Sequence, residues 1–222
     1  MNILSVYCHH EPSSLTSSLK NIATSVLISH GHQVVEDDLY ASGFEAKAEK
    51  YDFTVLSGSH FNYMLEQRNA VKKGMAFAPD IQSEFQKVIK ADVILIHTPL
   101  WWLGVPALLK GWFDRVLVMG AAWDGGKIYE QGLLRGRSVM LCVVAGGPEE
   151  FFRPEGKHKA TIGQILHPIH QGTLAFCGLD VLKPYVVFNS LGLSAGGRAA
   201  VLSDYQFQIE QLSVSPDYLI KY

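Results

Sequence analysis

This sequence has few cysteines, no long uninterrupted apolar run and little net charge. Its three cysteines are odd in number and form no C-x-x-C pair, so they do not indicate a disulfide framework. They are Cys8, Cys142 and Cys177, each in an apolar context where a thiol behaves as a small hydrophobic side chain. We therefore expect a reducing, cytoplasmic location.

The most apolar stretch, residues 93–119, is interrupted by prolines, glycines and charged side chains. It cannot supply the roughly 20 uninterrupted apolar residues of a spanning helix, so we expect no membrane insertion. The first residues lack a basic segment and enter a strand pattern at once, so we expect no signal peptide.

Charge is nearly balanced, with 19 Lys and Arg against 21 Asp and Glu and a formal net charge of −2. No basic stripe or acidic tail is present, which argues against nucleic acid as a partner. Of the 222 residues, 48% are hydrophobic and 18% are charged, as in globular chains that bury a sizeable core. We expect one domain over residues 1–222.

Short apolar runs alternate with longer amphipathic segments along the chain. The short runs predict strands over residues 3–7, 33–39, 92–97, 137–145 and 181–188. The longer segments predict helices over residues 15–30, 81–91, 105–119, 160–176 and 195–211. Residues 41–79 show no period, and we expect a long excursion there with little regular structure.

Buried strands joined by helices imply right-handed crossovers and an α/β fold. The predicted architecture is a three-layer sandwich with a five-stranded parallel sheet and helices on both faces. Its favoured strand order is 2-1-3-4-5, as in flavodoxin-like folds, where ligands bind beyond the carboxyl ends of the strands. This order brings together the loops at residues 9–16, 98–104 and 145–152.

The first loop is rich in hydroxyls at a predicted helix N-terminus, with Ser13, Ser14, Thr16 and Ser17. Unpaired N–H groups, the helix dipole and these hydroxyls suit a phosphate, although simple N-capping needs only one hydroxyl. The chain has no G-x-x-x-x-G-K-[ST] and no G-x-G-x-x-G. An NTPase loop and a Rossmann dinucleotide site are therefore disfavoured.

The second loop contains the adjacent Trp101 and Trp102. Both rings cannot face the core, so at least one should stand on the rim of the crevice, unless both cover the helix that follows. A planar ligand stacked there would gain about 0.5–1.5 kcal/mol beyond its area burial.

The third loop contains Gly146 and Gly147, which allow the backbone to approach a ligand closely, although a glycine pair also fits an ordinary tight turn. Amide donors there would stabilise negative charge at the pyrimidine edge of a reduced flavin. Together the three loops suit a flavin better than a sugar or a metal. His167 and His170 have no obvious further ligands nearby in the sequence, so we favour core or surface roles for both and expect no metal.

Five stretches in order along the chain resemble the NAD(P)H:quinone oxidoreductases of the DT-diaphorase type. They are V-Y-C-H-H-E-P-S-S at residues 6–14, D-L-Y at 38–40, P-D-I at 79–81, P-L-W-W-L-G-V-P-A-L-L-K-G-W-F-D-R-V at 99–116, and F-C-G-L-D-V-L-K-P within 172–184. The fourth stretch is the most specific. The resemblance covers nearly the whole chain.

The resemblance implies a flavodoxin-like fold, a bound FAD and a homodimer with its site at the subunit interface. It also implies ping-pong hydride transfer from NAD(P)H to the flavin, then two-electron reduction of a quinone. The implied flavin contacts are His9, Leu15, Thr16, Asn62, Pro99, Leu100, Trp101, Trp102, Leu103, Gly146, Gly147 and Arg198. The resemblance implies that Trp102 flanks the isoalloxazine ring and that Trp123 and Phe176 close the pocket from the other subunit.

The implied catalytic set is His158, Trp102, Gly146, Gly147 and Phe152. Phe152 stands where the family has a tyrosine, so one donor is missing, and the hydride step is expected to survive because geometry around the cofactor determines it. His158 is then the candidate for handling the proton, unless it is a solvated histidine in a lysine-rich loop.

Three further departures from the family concern the phosphate loop, the pocket and the tail. Leu15 and Thr16 stand where the family often has Phe and Asn, and both can still serve the phosphate loop. Gly125 replaces a pocket tyrosine and should open the mouth to bulkier acceptors. The chain ends at Tyr222, earlier than the animal enzymes, so the preference for NADH or NADPH does not transfer.

Two other functions remain open at this point. One is an FMN-dependent flavin or azo-compound reductase on the same fold. The other is a flavin-binding regulatory subunit of a potassium-efflux system. An electron-carrier flavodoxin fits less well, because such carriers are usually small and strongly acidic.

Overall fold

A computed structural model of the chain describes residues 1–58 and 60–214. The strands are β1 (Asn2–Tyr7), β2 (Gln33–Asp38), β3 (Val93–Pro99), β4 (Ser138–Val144), β5 (Asp180–Val181) and β6 (Tyr185–Val187). The helices are α1 (Leu15–Ser29), α2 (Tyr63–Lys72), α3 (Pro79–Lys90), α4 (Ala107–Val116), α5 (Ile162–Ile169) and α6 (Ala195–Val214). Within these described residues, no helix is long and apolar enough to span a bilayer.

The sheet is parallel throughout, and its order β2-β1-β3-β4-β5 confirms the flavodoxin-like prediction. One expectation is wrong in detail, because the fifth strand predicted over residues 181–188 is divided. Both β5 and β6 pair with β4, and Leu182, Lys183 and Pro184 separate them. Proline has no N–H to donate to a ladder, so the strand is interrupted there.

Side chains from both faces of the sheet are buried, as a parallel sheet covered on two sides requires. On one face, residues of α3, α4 and α5 pack around Trp112, which is 1% exposed. On the other face, α1 and α6 pack together around Tyr205, which is 0% exposed. The central strands are therefore held between two hydrophobic layers, and their carboxyl ends are held at fixed spacing.

A second prediction is wrong, because residues 41–79 contain the helix α2 as well as a short turn at Lys50–Asp52. The buried residues of α2 include Glu66 and Gln67, whereas its apolar Met64 and Leu65 are about half exposed. Gln67 Nε2 donates to Asp114 O at 3.0 Å, and Gln67 Oε1 accepts from Met119 N–H at 3.1 Å. The helix is thus anchored by polar contacts that a hydrophobic periodicity does not reveal.

The helix predicted over residues 160–176 changes character along its length. After α5 it widens into a π-helical turn at His170–Leu174, then tightens into a 3-10 turn at Ala175–Cys177. Pro168 lies inside α5, and proline cannot donate the regular helical hydrogen bond. The widened turn and the 3-10 turn together orient the segment that carries Phe176.

Candidate functional site

Three loops meet beyond the carboxyl ends of the adjacent strands β1, β3 and β4. The Cys8 N–H donates to His97 O at 3.0 Å, which joins the first loop to β3. The Leu100 N–H donates to Val144 O at 2.9 Å, which joins the second loop to β4. The structure therefore brings together the loops that strand order predicted.

In the first loop, hydrogen-bond donors of Ser13 bind the carboxylate of the neighbouring Glu11. Ser13 donates to Glu11 Oε1 from its N–H at 2.8 Å and from its hydroxyl at 2.7 Å. These hydrogen bonds hold the pKa of Glu11 below its ordinary value. The Glu11 N–H in turn donates to His9 Nδ1 at 3.0 Å, and partial burial lowers the pKa of His9. A carboxylate thus occupies donors that would suit a phosphate oxygen, which fits a phosphate-bearing cofactor.

The helix that follows begins with ordinary capping. Ser14 Oγ accepts from the Ser17 N–H at 3.1 Å, and Leu15 and Thr16 are buried. Arg198 of α6 reaches this loop, donating to Ser13 O at 3.2 Å and to Ser18 Oγ at 2.8 Å. The loop is therefore held by its own helix and by the last helix of the fold.

The second loop is a tight turn in which two large residues adopt left-handed backbone. Trp101 and Gly104 exchange both N–H···O hydrogen bonds at 2.9 Å, and the residues between them, Trp102 and Leu103, have φ values of 52° and 55°. Left-handed backbone costs about 1–2 kcal/mol for a residue with a side chain, and such strain is concentrated at functional sites.

The side chains of this turn point away from the core. Trp102 is fully exposed at 102%, and Trp101 is 39% exposed. The prediction that at least one tryptophan stands on the rim is confirmed by this exposure. Within the described chain, the N–H groups of Trp102 and Leu103 donate to no other group. An unpartnered aromatic ring and two unpaired donors therefore lie side by side.

The third loop supplies a second pair of unpaired donors. Its carbonyls are occupied, since Ser190 N–H donates to Ala145 O at 3.1 Å and Asn189 N–H donates to Gly147 O at 2.8 Å. The N–H groups of Gly146 and Gly147 have no acceptor among residues 1–58 and 60–214. These donors follow the end of β4 as those of Trp102 and Leu103 follow the end of β3, so two adjacent loops each carry a pair of unpaired amides.

There is little spare room for a side chain at either position of this pair. A Cβ at Gly146 would lie 3.3 Å from Leu191 Cδ1, and a Cβ at Gly147 would lie 3.3 Å from Phe151 Cδ2. A side chain at either position would require Leu191 or Phe151 to shift by a few tenths of an ångström. The absence of side chains keeps this edge of the crevice open to a ligand.

Phe152 and His158 lie together next to Gly147. Phe152 is buried, and its ring centroid is 4.7 Å from that of His158 and 5.1 Å from that of Phe188. The His158 N–H donates to Phe151 O at 3.0 Å, and its side chain is half-buried. The only side chain of this pair that can exchange a proton is therefore His158.

The remaining predicted residues lie elsewhere on the chain. Asn62 caps α2, accepting from the Leu65 N–H at 3.1 Å. Trp123 and Phe176 pack edge to face with ring centroids 5.2 Å apart and line a separate cavity of about 500 Å³. A side chain at Gly125 would meet only the Arg68 guanidinium, at 4.0 Å. Within one chain, this aromatic cavity and the three-loop crevice are distinct sites.

The aromatic cavity has walls that sequence patterns did not predict. They include Phe61, Tyr63, Met64, Gln67, Lys110 and Phe113. The Tyr63 hydroxyl donates to Asp52 Oδ2 at 2.6 Å, and Asp52 is paired with the buried Arg115 at 2.9 Å. The buried ion pair that holds this wall has no signature in the sequence, because Asp52 and Arg115 are far apart along the chain.

The structure offers little to a metal ion. Across the described ranges, no three His, Cys, Asp or Glu side chains are close enough to one another to hold one. His170 is buried, and burial lowers its pKa to about 4, with a smaller contribution from His167. All three cysteines are free and buried, and burial raises the pKa of each to about 12.

Comparison with known proteins gives consistent matches over most of the chain. Residues 1–211 match the family described as having the flavodoxin-like fold. The chain is 43% identical over 188 residues to a ribosyldihydronicotinamide dehydrogenase (quinone) of Pongo abelii, which covers 84% of this chain and 80% of that protein. It is 35% identical over 209 residues to NAD(P)H dehydrogenase (quinone) 1 of Rattus norvegicus, covering 93% and 76%.

A solved structure gives the same result in three dimensions. A provisionally described quinone reductase of Klebsiella pneumoniae superposes with a TM-score of 0.91 at 34% identity. The superposition covers 96% of this chain and 85% of that one.

Proposed function

The chain belongs to the flavodoxin-like quinone dehydrogenase family, and on that premise we propose that it is an FAD-dependent NAD(P)H:quinone oxidoreductase acting by ping-pong hydride transfer. Family membership makes it an oxidoreductase that uses a flavin and NAD(P)H. The observation that most supports the finer proposal is the exposed Trp102 ring beside four unpaired amides. When bound, the flavin accepts a hydride from NAD(P)H and then passes two electrons to a quinone.

In this proposal the first loop holds the pyrophosphate. Ser13 and the N-terminus of α1 supply donors, and the Glu11 carboxylate leaves them when the phosphate enters. Arg198 adds a positive charge directly behind the loop. The start of α1 is already held by the Ser14 cap, so the rearrangement that binding requires centres on the Glu11 side chain.

The second and third loops hold the ring. Trp102 stacks on the isoalloxazine face, and the amides of Trp102, Leu103, Gly146 and Gly147 line its polar edge. These amides stabilise the negative charge that reduction brings to the pyrimidine side. Because they are backbone groups held by two neighbouring strands, they are oriented before the charge develops.

The pocket over the ring is proposed to form in a homodimer. Trp123 and Phe176 lie away from the crevice of their own chain, and together they present aromatic surface to a separate cavity. Set against the Trp102 of a second copy, they would enclose a flat quinone. The open surroundings of Gly125 favour bulkier acceptors at the same mouth.

One experiment tests this function and its nearest alternative. Flavin released by heat from the purified protein is identified by chromatography, and turnover is measured with NADH or NADPH and a benzoquinone. FAD with quinone-dependent turnover is expected. FMN would favour the flavin or azo-compound reductase instead, and a protein that contains and takes up no flavin would contradict both.

The proton role of His158 predicts a specific pH effect. His158→Gln retains size and hydrogen bonding but removes the titratable ring, so the pH dependence of quinone reduction should change. Flavin reduction by NAD(P)H should be little affected, because hydride transfer needs no proton from the protein. The measurement is the rate of each half-reaction by stopped flow across neutral pH.

The matched control is His167→Gln, which removes an exposed histidine on α5. It should leave both half-reactions unchanged. A His158→Gln profile that superposes on that of the wild type would show that His158 takes no part in proton transfer.

A further inference from the structure

Three fully buried polar side chains form a hydrogen-bonded cluster between α6 and the sheet. The Tyr205 hydroxyl lies 2.8 Å from His97 Nε2 in β3 and 2.8 Å from Cys142 Sγ in β4. All three residues are 0% exposed. A hydrogen bond tolerates only a narrow range of distance, whereas apolar contact allows helices to slide, so this cluster fixes where α6 sits.

The two partners of Tyr205 occupy equivalent places in neighbouring strands. His97 and Cys142 are register partners, two residues before the strand ends at Pro99 and Val144. The loops with the unpaired amides follow immediately after those ends. The hydroxyl therefore bridges β3 and β4 directly beneath the proposed flavin site.

The cluster stays uncharged at neutral pH. Burial lowers the pKa of His97 to about 3, partly opposed by the Val6 backbone, and burial raises the pKa of Cys142 to about 12. Burial also raises the pKa of Tyr205 well above its ordinary range. A neutral hydroxyl has one proton to donate and can accept in return, so one side chain serves both strands.

The same face of α6 also holds the first loop. Arg198, which contacts Ser13 and Ser18, precedes Tyr205 by seven residues. Seven residues are two helical turns, so both side chains project from one face about 10 Å apart along the axis. A shift of α6 along the sheet would move Arg198 against its loop and break both Tyr205 contacts together.

We propose that Tyr205 is a positioning residue for the flavin site, fixing the spacing of the β3 and β4 loops and the reach of Arg198 into the first loop. The proposal rests on the proposed function, since it assumes that these loops bind a flavin. Tyr205 itself does not touch the ligand. It acts through the strands and the helix that carry the binding groups.

The test compares full-length wild type with Tyr205→Phe, which removes only the hydroxyl. We expect the dissociation constant for FAD to rise about tenfold, because two buried partners lose their hydrogen bond and the loops relax. In flavin-free protein, hydrogen exchange should accelerate at the amides of Cys8 and Leu100, which tie the loops to β3 and β4. The Leu39 amide, bonded to Tyr7 at the far side of the sheet, should not change.

The matched control is Tyr185→Phe. The Tyr185 hydroxyl also contacts α6, lying 3.1 Å from Val201 O and 2.9 Å from Asp204 Oδ2, and its ring centroid is 4.6 Å from that of Tyr205. Because this hydroxyl contacts neither β3 nor β4, the variant should lose stability while binding FAD within twofold of wild type. The unfolding temperature of each protein is first determined by circular dichroism. FAD binding is then measured below that temperature.

The outcomes separate a positioning role from a structural one. If folded Tyr205→Phe binds FAD within twofold of wild type, the positioning role is wrong. If that variant does not fold, Cys142→Val is used instead, because it removes one hydrogen-bond partner of the Tyr205 hydroxyl. It is judged by the same FAD dissociation constant and hydrogen exchange. Cys142→Ser, which keeps a polar group at this position, is expected to bind FAD as wild type does. A wild type that binds no FAD would overturn the proposed function and this inference together.

Discussion

At the scale of single residues, two kinds of polar group support the proposed site. They are the unpaired amides that follow β3 and β4, and the buried side chains that hydrogen-bond to one another. Ser13 and Gly147 could be singled out from the sequence, because hydroxyls at a helix start and paired glycines after a strand have a known physical use. Tyr205 could not, because its role depends on partners that only the folded chain brings near. Such partners are separated in sequence by up to 108 residues, as between His97 and Tyr205.

A buried acid pair gives a prediction at this scale. Asp37 and Glu84 share Lys87, whose Nζ lies 2.8 Å from Asp37 Oδ1 and 2.6 Å from Glu84 Oε1. Burial, together with the Glu84 carboxyl, raises the pKa of Asp37 to about 7. An unfolded aspartate ionises near pH 3.9, so from about pH 4 to 7 the native state holds a proton that the unfolded chain has lost. The free energy of unfolding should therefore fall as pH rises through this window.

Asp37→Asn should make that slope shallower, since an amide cannot ionise. The measurement is chemical denaturation at several pH values. Asp114→Asn is the control, because Asp114 is exposed and, among the described residues, forms an ion pair only with Lys110 on the helix surface. Equal slopes for wild type and Asp37→Asn would contradict the raised pKa of Asp37.

At the scale of elements, the sequence predicted those held by apolar periodicity and missed those held by polar contacts. The strands β1, β3 and β4 are buried runs, and their positions follow from composition alone. The helix α2 was missed because its buried side chains include Glu66 and Gln67. The division of the last strand follows from a single proline, Pro184, which has no N–H to donate to the neighbouring strand.

The strained turn at residues 101–104 gives a prediction at this scale. Trp102→Ala and Trp102→Gly remove the same exposed ring, but only glycine adopts φ near 52° without strain. The glycine variant should be more stable than the alanine variant by roughly 0.5–1 kcal/mol, after the freedom of unfolded glycine is allowed for. Both should bind FAD more weakly than wild type, since the stacking surface is gone.

Denaturation of flavin-free protein and FAD titration measure the two effects separately. Phe207→Ala is the control for loss of an exposed aromatic ring, since Phe207 is half exposed on α6. If the glycine variant is no more stable than the alanine variant, the turn is not strained. If both variants bind FAD as wild type does, Trp102 does not stack on the ring.

At the scale of the whole molecule, strand order is what the sequence predicted best. Short buried strands alternating with helices leave few topologies, and the order of the central strands places three loops at one edge. The second, aromatic cavity was beyond such reasoning, because it depends on how residues 44–63 are held by the Arg115 and Asp52 pair.

The proposed dimer predicts complementation between two defective chains. Trp102→Ala and Phe176→Ala should each be poorly active as homodimers. If Phe176 serves the partner's crevice, one site of a purified mixed dimer carries both substitutions and the other site carries neither. The mixed dimer should therefore recover about half of wild-type activity. No recovery in the mixed dimer would place Phe176 in the site of its own chain.

The central claim is that the crevice between the three loops holds a flavin that a nicotinamide reduces and a quinone reoxidises. The most direct measurement is the visible absorption spectrum of the FAD-loaded protein under anaerobic conditions. The account predicts a yellow protein that bleaches on adding NADH or NADPH and regains its colour with one equivalent of a benzoquinone. A spectrum unchanged by either nicotinamide, or a reduced form that the quinone leaves bleached, would contradict it.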